Sequence, residues 1–199
     1  SDYSLLMKFN IFKFKKVKST NDQAIKLIRK KNISGYVFAK NQTKGKGTYG
    51  KKWISQEGNL FGTFFFQLKK NYPPFNEFSI INPVLISDVI QFYCKKKDVS
   101  LKFPNDILVN KKKICGILQE QITLNKKTYL IIGIGINIIS HPVIYNKYKA
   151  TNIFFETKKK PSLDKVINLL VLKYENFFKN INSYNYLRIK KRANMVKVI

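Results

Sequence analysis

"VSLKFPNDILVNKKKICGILQEQITLNKKTYLIIGIGINI", residues 99–138, decides the fold. Short apolar segments, VSLKF, DILVN, KKICGILQEQI and KTYLIIGIGINI, follow one another and read as strands. The joins NKK (110–112) and LNKK (124–127) are turn-like. Strands arriving in consecutive runs favour antiparallel pairing, whereas strands alternating with helices would build a parallel sheet. The expected class is α/β of the α+β kind: a single domain with a mixed, largely antiparallel central sheet covered by helices.

Upstream, the alternation in KFNIFKFKKV (8–17) predicts a first strand. STNDQAIKLIRKK (19–31) predicts a helix with Ser19 or Thr20 as N-cap, Asp22 near its positive end, an apolar face of Ala24, Ile25, Leu27 and Ile28, and Gly35 as its stop. YVFAK (36–40) and NLFGTFFFQL (59–68) read as strands. The apolar segment 76–94 reads as a helix that either kinks at Pro83 or starts there with Asn82 as N-cap. Ser162 is expected to cap a last amphipathic helix bearing Leu163, Val166, Ile167, Leu170, Tyr174 and Phe177 on one side, and the stretch from 184 reads as a weakly patterned basic tail. A domain of 1–183 with a tail of 184–199 is the simplest division.

The 199 residues and 44% hydrophobic content suffice for one core. The longest apolar run, LIIGIGINII (130–139), falls far short of the roughly 20 residues that span a bilayer, and no signal peptide is recognisable, so a cytoplasmic protein without membrane attachment is expected. Cys94 and Cys115 lack metal-ligand spacing and read as buried thiols. The net charge of +27 invites a nucleic-acid reading, but 35 of the 38 basic residues are lysine, the exceptions being Arg29, Arg188 and Arg192. Arginine is the usual residue for bidentate phosphate and base-edge contacts. The abundance of Lys, Asn, Ile, Phe and Tyr fits AT-rich codons, and no specific DNA binding is expected.

TKGKGTYGKKW (43–53) matches two nucleotide patterns and completes neither. Gly45, Gly47 and Gly50 spell G-x-G-x-x-G, but no helix follows and no carboxylate stands near residue 70 to take a ribose hydroxyl. Gly45, Gly50 and Lys51 approach the P-loop, but Lys52 occupies the position that needs a hydroxyl for magnesium. What remains is glycine backbone that can approach an anion, lysines at 44, 46, 51 and 52, and Trp53, which can either face a base or plug the core.

Four motifs in order, STND (19–22), NQTKGKGTYGKKW (41–53), KFPNDILVNKKKICGIL (102–118) and GIGIN (133–137), make the chain resemble the biotin protein ligases. That resemblance implies a fold of the class II aminoacyl-tRNA synthetase and biotin ligase kind. It implies adenylation of biotin by ATP, then transfer to one lysine of the biotin carboxyl carrier protein of acetyl-CoA carboxylase or a related carboxylase. It implies Lys113 as the catalytic lysine. Biotin contacts would come from Ser19, Thr20, Asn21, Gln42, Gly45, Lys46 and Gly116. Nucleotide contacts would come from Lys46, Gly47, Thr48, Lys51, Trp53, Asn105, Asp106, Lys113 and Asn137. Magnesium is expected with the nucleotide, without assignable protein ligands, and the chain is expected to be a monomer or homodimer. His141, the only histidine, reads as structural or exposed.

Two departures from the family pattern stand out. Thr48 replaces a loop arginine, which predicts faster escape of the adenylate; a Thr48→Arg variant should retain the intermediate longer in single-turnover assays, and equal escape would remove the idea. The arrival of STND at residue 19, and the short stretch after the last helix, predict neither a helix-turn-helix domain nor more than a vestige of the family's small C-terminal β-domain. The rival readings are a lipoate ligase or octanoyltransferase of related fold, and a lysine-rich RNA-binding module using aromatics such as those in FGTFFFQLKKNY on an exposed sheet.

Overall fold

The computed structural model describes residues 7–143 and 149–199. Seven strands form one sheet: β1 (Ile11–Val17), β2 (Ser34–Gln42), β3 (Leu60–Gln67), β4 (Val99–Lys102), β5 (Asp106–Val109), β6 (Lys112–Leu124) and β7 (Lys127–Ile136). Their spatial order is β1-β2-β3-β7-β6-β5-β4. Only β1 and β2 run parallel, joined through helix α1 (Thr20–Arg29), and every other neighbour pair is antiparallel. The hairpin joins work because Asn110, Lys111, Asn125 and Lys126 all adopt positive φ, the twist that tight β-turns require.

The sheet has two unequal faces. One carries the main core: Phe64 and Phe66 of β3, Leu130, Ile132, Ile134 and Ile136 of β7, covered by α2 (Phe75–Tyr93), α4 (Leu163–Lys179) and α5 (Tyr186–Met195), with the short α3 (Ile153–Thr157) ahead of α4. The other is covered at one end by α1, which buries Ala24, Leu27 and Ile28 against Val37, Phe65 and Ile131. The remainder of that second face lies under the glycine loop.

Several local expectations change. Ser19 is the N-cap of α1, its Oγ accepting from the Asp22 N–H at 3.0 Å. The helix ends at Arg29 and Gly35 lies inside β2, where an added Cβ would press on Phe12 and Phe65. Helix α2 runs unbroken through Pro83, so Asn82 is no N-cap. It is fully buried, donating to Gln119 Oε1 and accepting from Tyr174 O–H, each at 2.8 Å. Ser162 precedes α4 as expected but makes no side-chain cap bond.

The segment from 184 is no loose tail. Asn185 caps α5, Ile189 and Ala193 are buried, Arg192 pairs with Asp88 on α2, and Lys197 to Ile199 add a short bridge to Leu101 of β4. The heptad-like spacing of Ile189, Ala193 and Val196 was hidden among five basic residues between 188 and 197. The Phe64–Phe66 run points into the core or under α1 with no exposure, so those rings form no stacking platform for bases.

Candidate functional site

The uncovered part of the second face holds two adjoining cavities. The inner one, about 510 Å³ with its mouth, is lined at one end by Ser19, Thr20, Asn21 and Gln42 and floored by Gly116, Gly133 and Gly135. The outer one, about 1270 Å³ and open, is walled by Lys51, Lys52, Lys102, Phe103, Pro104, Asn137 and Ala150. Gly47, Thr48, Trp53, Asn105, Asp106 and Lys113 line both.

Each element reaches this place for a local reason. The N-terminus of α1 points its first residues at the inner cavity, because Ser19 turns the chain from extended into helix there. Gln42 ends β2 beside it, accepting from the Thr20 N–H at 2.8 Å and donating to Ser55 Oγ at 3.0 Å. Thr63, the one polar residue inside the apolar β3, reaches Thr20 Oγ1 at 2.7 Å and Asn21 Oδ1 at 2.6 Å. Asn21 Nδ2 donates to Glu120 Oε1 on β6 at 2.8 Å.

Lys113 stands at the junction of the cavities because β6 is irregular there. Ile107 pairs with Cys115 and Leu108 with Lys113, so Ile114 is an extra residue on β6. Ile114 and Cys115 therefore both sink into the core while Lys113 and Gly116 face the site. The Lys113 backbone also bonds to Lys149 O and the Thr151 N–H, each at 2.9 Å. Its ammonium sits 3.0 Å from Asp106 Oδ1 and 5.4 Å from the centre of the Trp53 ring. Burial pushes the neighbouring Cys115 thiol far up, despite the Lys113 charge, so this cysteine is core and not a nucleophile.

The loop closes the site through its tryptophan. A Cβ at Gly116 or Gly135 would overlap the Trp53 indole, so those glycines are the seat on which the ring rests. Gly45 is buried beneath the loop, where a side chain would strike Trp53 O and Ser55 Oγ; it lines neither cavity, and its close packing is what lets the Trp53 N–H reach Gly45 O at 2.9 Å. Lys46 lines the inner cavity and is ion-paired to Asp22. Tyr49, with positive φ, is 94% exposed at the tip.

Beyond the loop, Asn137 directly follows β7 on the outer cavity, its amide donating to Thr151 O at 3.1 Å. Asn59 ties the chain after it, its Oδ1 accepting the Ile138 N–H at 2.8 Å. Glu156 anchors the start of β6: its carboxylate meets Lys112 at 2.9 Å, Thr151 Oγ1 at 2.7 Å and Asn110 Nδ2 at 2.8 Å. Burial pushes that carboxyl up, but these bonds outweigh it and hold it below the ordinary value. His141 Nδ1 accepts from Asn152 Nδ2 at 2.8 Å, and the ring lines neither cavity. Among the described residues no cluster of three His, Cys, Asp or Glu could cage a metal.

The structure thus gathers all the expected site residues except Gly45 on two connected cavities. Thr63, Glu120, Asp22 and Ser55 were not singled out as site residues. Asp22 stood in the STND motif and Thr63 left a trace as a hydroxyl amid FGTFFF; Glu120 and Ser55 depend on contacts across the fold.

Comparison with known proteins gives a consistent result. The biotin/lipoate A/B protein ligase family matches residues 12–137. The biotin–[acetyl-CoA-carboxylase] ligase of Paracoccus denitrificans is 29% identical over 126 residues, 62% of this chain and 52% of that protein. The bifunctional ligase/repressor BirA of Bacillus subtilis is 30% identical over 160 residues, 77% of this chain and 49% of that protein. The chain spans about half the length of these curated relatives. The Aquifex aeolicus biotin protein ligase in complex with biotin and ATP superposes with a TM-score of 0.76 at 28% identity, covering 92% of this chain and 76% of that one.

Proposed function

The chain belongs to the biotin/lipoate A/B protein ligase family, and from that premise we propose that it is an ATP-dependent biotin protein ligase. The observation that carries this reading is the pair of cavities meeting at Lys113: one small and polar at its closed end, one wide and basic. Biotin's ring lies toward Ser19, Thr20 and Gln42, and its tail runs over the glycine floor, bringing the carboxylate to the junction. The nucleotide fills the outer cavity with its α-phosphate at the same point.

The carboxylate oxygen then attacks the α-phosphorus. The bond to the bridging oxygen breaks, pyrophosphate leaves, and biotinyl-5'-AMP remains. Two anions must approach, so the chain's task is to supply fixed positive charge and backbone donors where they meet. Lys113 provides the charge, held in place by Asp106 and by the Trp53 face. Lys46 and Lys51 supply more, as point charges and not as planar forks. In the second step the amine nitrogen of a carrier lysine attacks the acyl carbon, the C–O bond to phosphate breaks, and AMP leaves with loss of one proton from the nitrogen.

Among the described residues Asp106 is the sole carboxylate lining the outer cavity, and it is already paired with Lys113, so magnesium would enter with the phosphates of its nucleotide and not in a protein cage. The carrier protein needs only to present its lysine at the mouth. The test is to incubate the protein with ATP, magnesium and the biotin carrier domain of a carboxylase, adding biotin, lipoate or octanoate. One biotinyl mass on a single carrier lysine is expected; modification by lipoate or octanoate alone would overturn the reading.

A further inference from the structure

We propose that Glu120 and Thr63 are positioning residues which, acting through Asn21, fix Thr20 as a hydrogen-bond acceptor toward the inner cavity, so that the site selects a ring N–H over a ring oxygen. The inference rests on the ligase reading and deepens it, by assigning specificity to residues outside the cavity wall.

The argument is a matter of counting protons along one chain of contacts. A carboxylate can only accept, so Asn21 must turn its amide nitrogen to Glu120 Oε1, 2.8 Å away. The Leu118 carbonyl, 3.5 Å from the same nitrogen, reinforces that orientation. Asn21 Oδ1 then faces Thr63 Oγ1 at 2.6 Å, and an amide oxygen can only accept, so the Thr63 proton goes to Asn21. A hydroxyl has one proton. The 2.7 Å contact between Thr63 and Thr20 must therefore be made by the Thr20 proton.

Thr20 lines the inner cavity and has given its proton to the core side. Only lone pairs remain for a ligand. Thr20 and Asn21 are nearly buried and Thr63 wholly so, which leaves no solvent to reverse the order. A cyclic urea offers N–H groups that suit such an acceptor; the same ring with oxygen in place of one N–H meets lone pair against lone pair.

Binding without ATP is measured by calorimetry for biotin and for the two cyclic carbamate analogues, each with one ring N–H replaced by oxygen. The wild type should prefer biotin over at least one carbamate by about a hundredfold, as sites built around a donor reject analogues lacking it. Thr63→Val frees the Thr20 proton, and the preference should fall about tenfold. Thr63→Ser keeps the relay and should restore the wild-type ratio. Glu120→Lys puts a donor where only an acceptor stood, turning Asn21 over, and should reduce the ratio at least as far as Thr63→Val. Ratios within one variant do not depend on the folded fraction, and Glu120 is only partly buried, so its variant decides the matter if Thr63→Val fails to fold. Wild-type ratios in both Thr63→Val and Glu120→Lys, or no discrimination by the wild type, would overturn the proposal. A wild type that does not bind biotin at all would instead remove the ligase reading.

Discussion

At the closed end of the inner cavity, Ser19, Thr20 and Asn21 are at most 4% exposed, and with Gln42 and Thr63 they bond to one another, to backbone, or to Glu120 and Ser55. Along the loop wall of the outer cavity, Tyr49, Lys51 and Lys52 stand in solvent, and Lys46 beside them is paired to Asp22. The two regions share Lys113 but solve different problems. A neutral ring must be recognised by donors and acceptors already in place, because each unmatched buried polar group costs about 1–3 kcal/mol. An anion is attracted from a distance, and its charges can gather as it arrives. On the proposed reading, orientation at the inner end is set before ligand binds, while charge at the outer end is completed by it.

That contrast can be broken most forcefully at the junction. Lys113→Ala should lower biotin-dependent ATP–pyrophosphate exchange about 100- to 1000-fold, the loss expected when one stabilising charge is removed from a transition state. A smaller change would mean that the loop lysines carry the charge and the two regions are not joined at this point.

Gly135→Ala attacks the inner floor. The added methyl overlaps the indole, so Trp53 must leave its seat, and biotin affinity should fall about 10- to 100-fold, the effect of overpacking a well-filled site. Since Trp53 is the chain's single tryptophan, a red shift of intrinsic fluorescence in the ligand-free protein reports the displacement directly.

Glu156 sharpens the picture of the outer region, where it ties Lys112, Thr151 and Asn110 together beside Lys113. Its carboxyl is held below the ordinary value, so the stabilisation it gives is complete above the unfolded carboxylate range and is lost as pH falls through the folded value. Glu156→Gln should cost about 2 kcal/mol at neutral pH by loss of its charged bonds to Lys112. The difference from the wild type should shrink in denaturant melts as pH drops below the usual carboxylate range.

Ionic strength gives the mildest test. Raising salt from about 50 to about 500 mM should weaken ATP binding several-fold and biotin binding by less than about twofold, because exposed charges are screened and buried neutral contacts are not. Equal sensitivity of the two ligands would erase the distinction between the regions.

Much of this was legible in the residues. Hairpins at 110–112 and 124–127, the Ser19 cap and the amphipathic faces of α1 and α4 follow from local rules, because each depends on neighbours within a few positions. The loop lysines, Trp53, Asn105, Asp106 and Lys113 were found by motif. Helix α5 was missed because its short apolar stripe is diluted by lysine and arginine; α2 was found, but the sequence left open whether it started at Pro83, which is tolerated inside a helix held by its packing.

The sequence by itself determined the strand run from 99 to 138, the antiparallel character of the sheet and the chemistry available to the site, since these rest on residue type and short spacing. Tertiary structure alone decided that Thr63 and Glu120, 43 and 100 residues from Thr20, would order its proton, and that an extra residue at Ile114 would aim Lys113 into the junction. Hydrogen bonds and strand register act through space, and only the folded sheet brings those partners within 3 Å of one another.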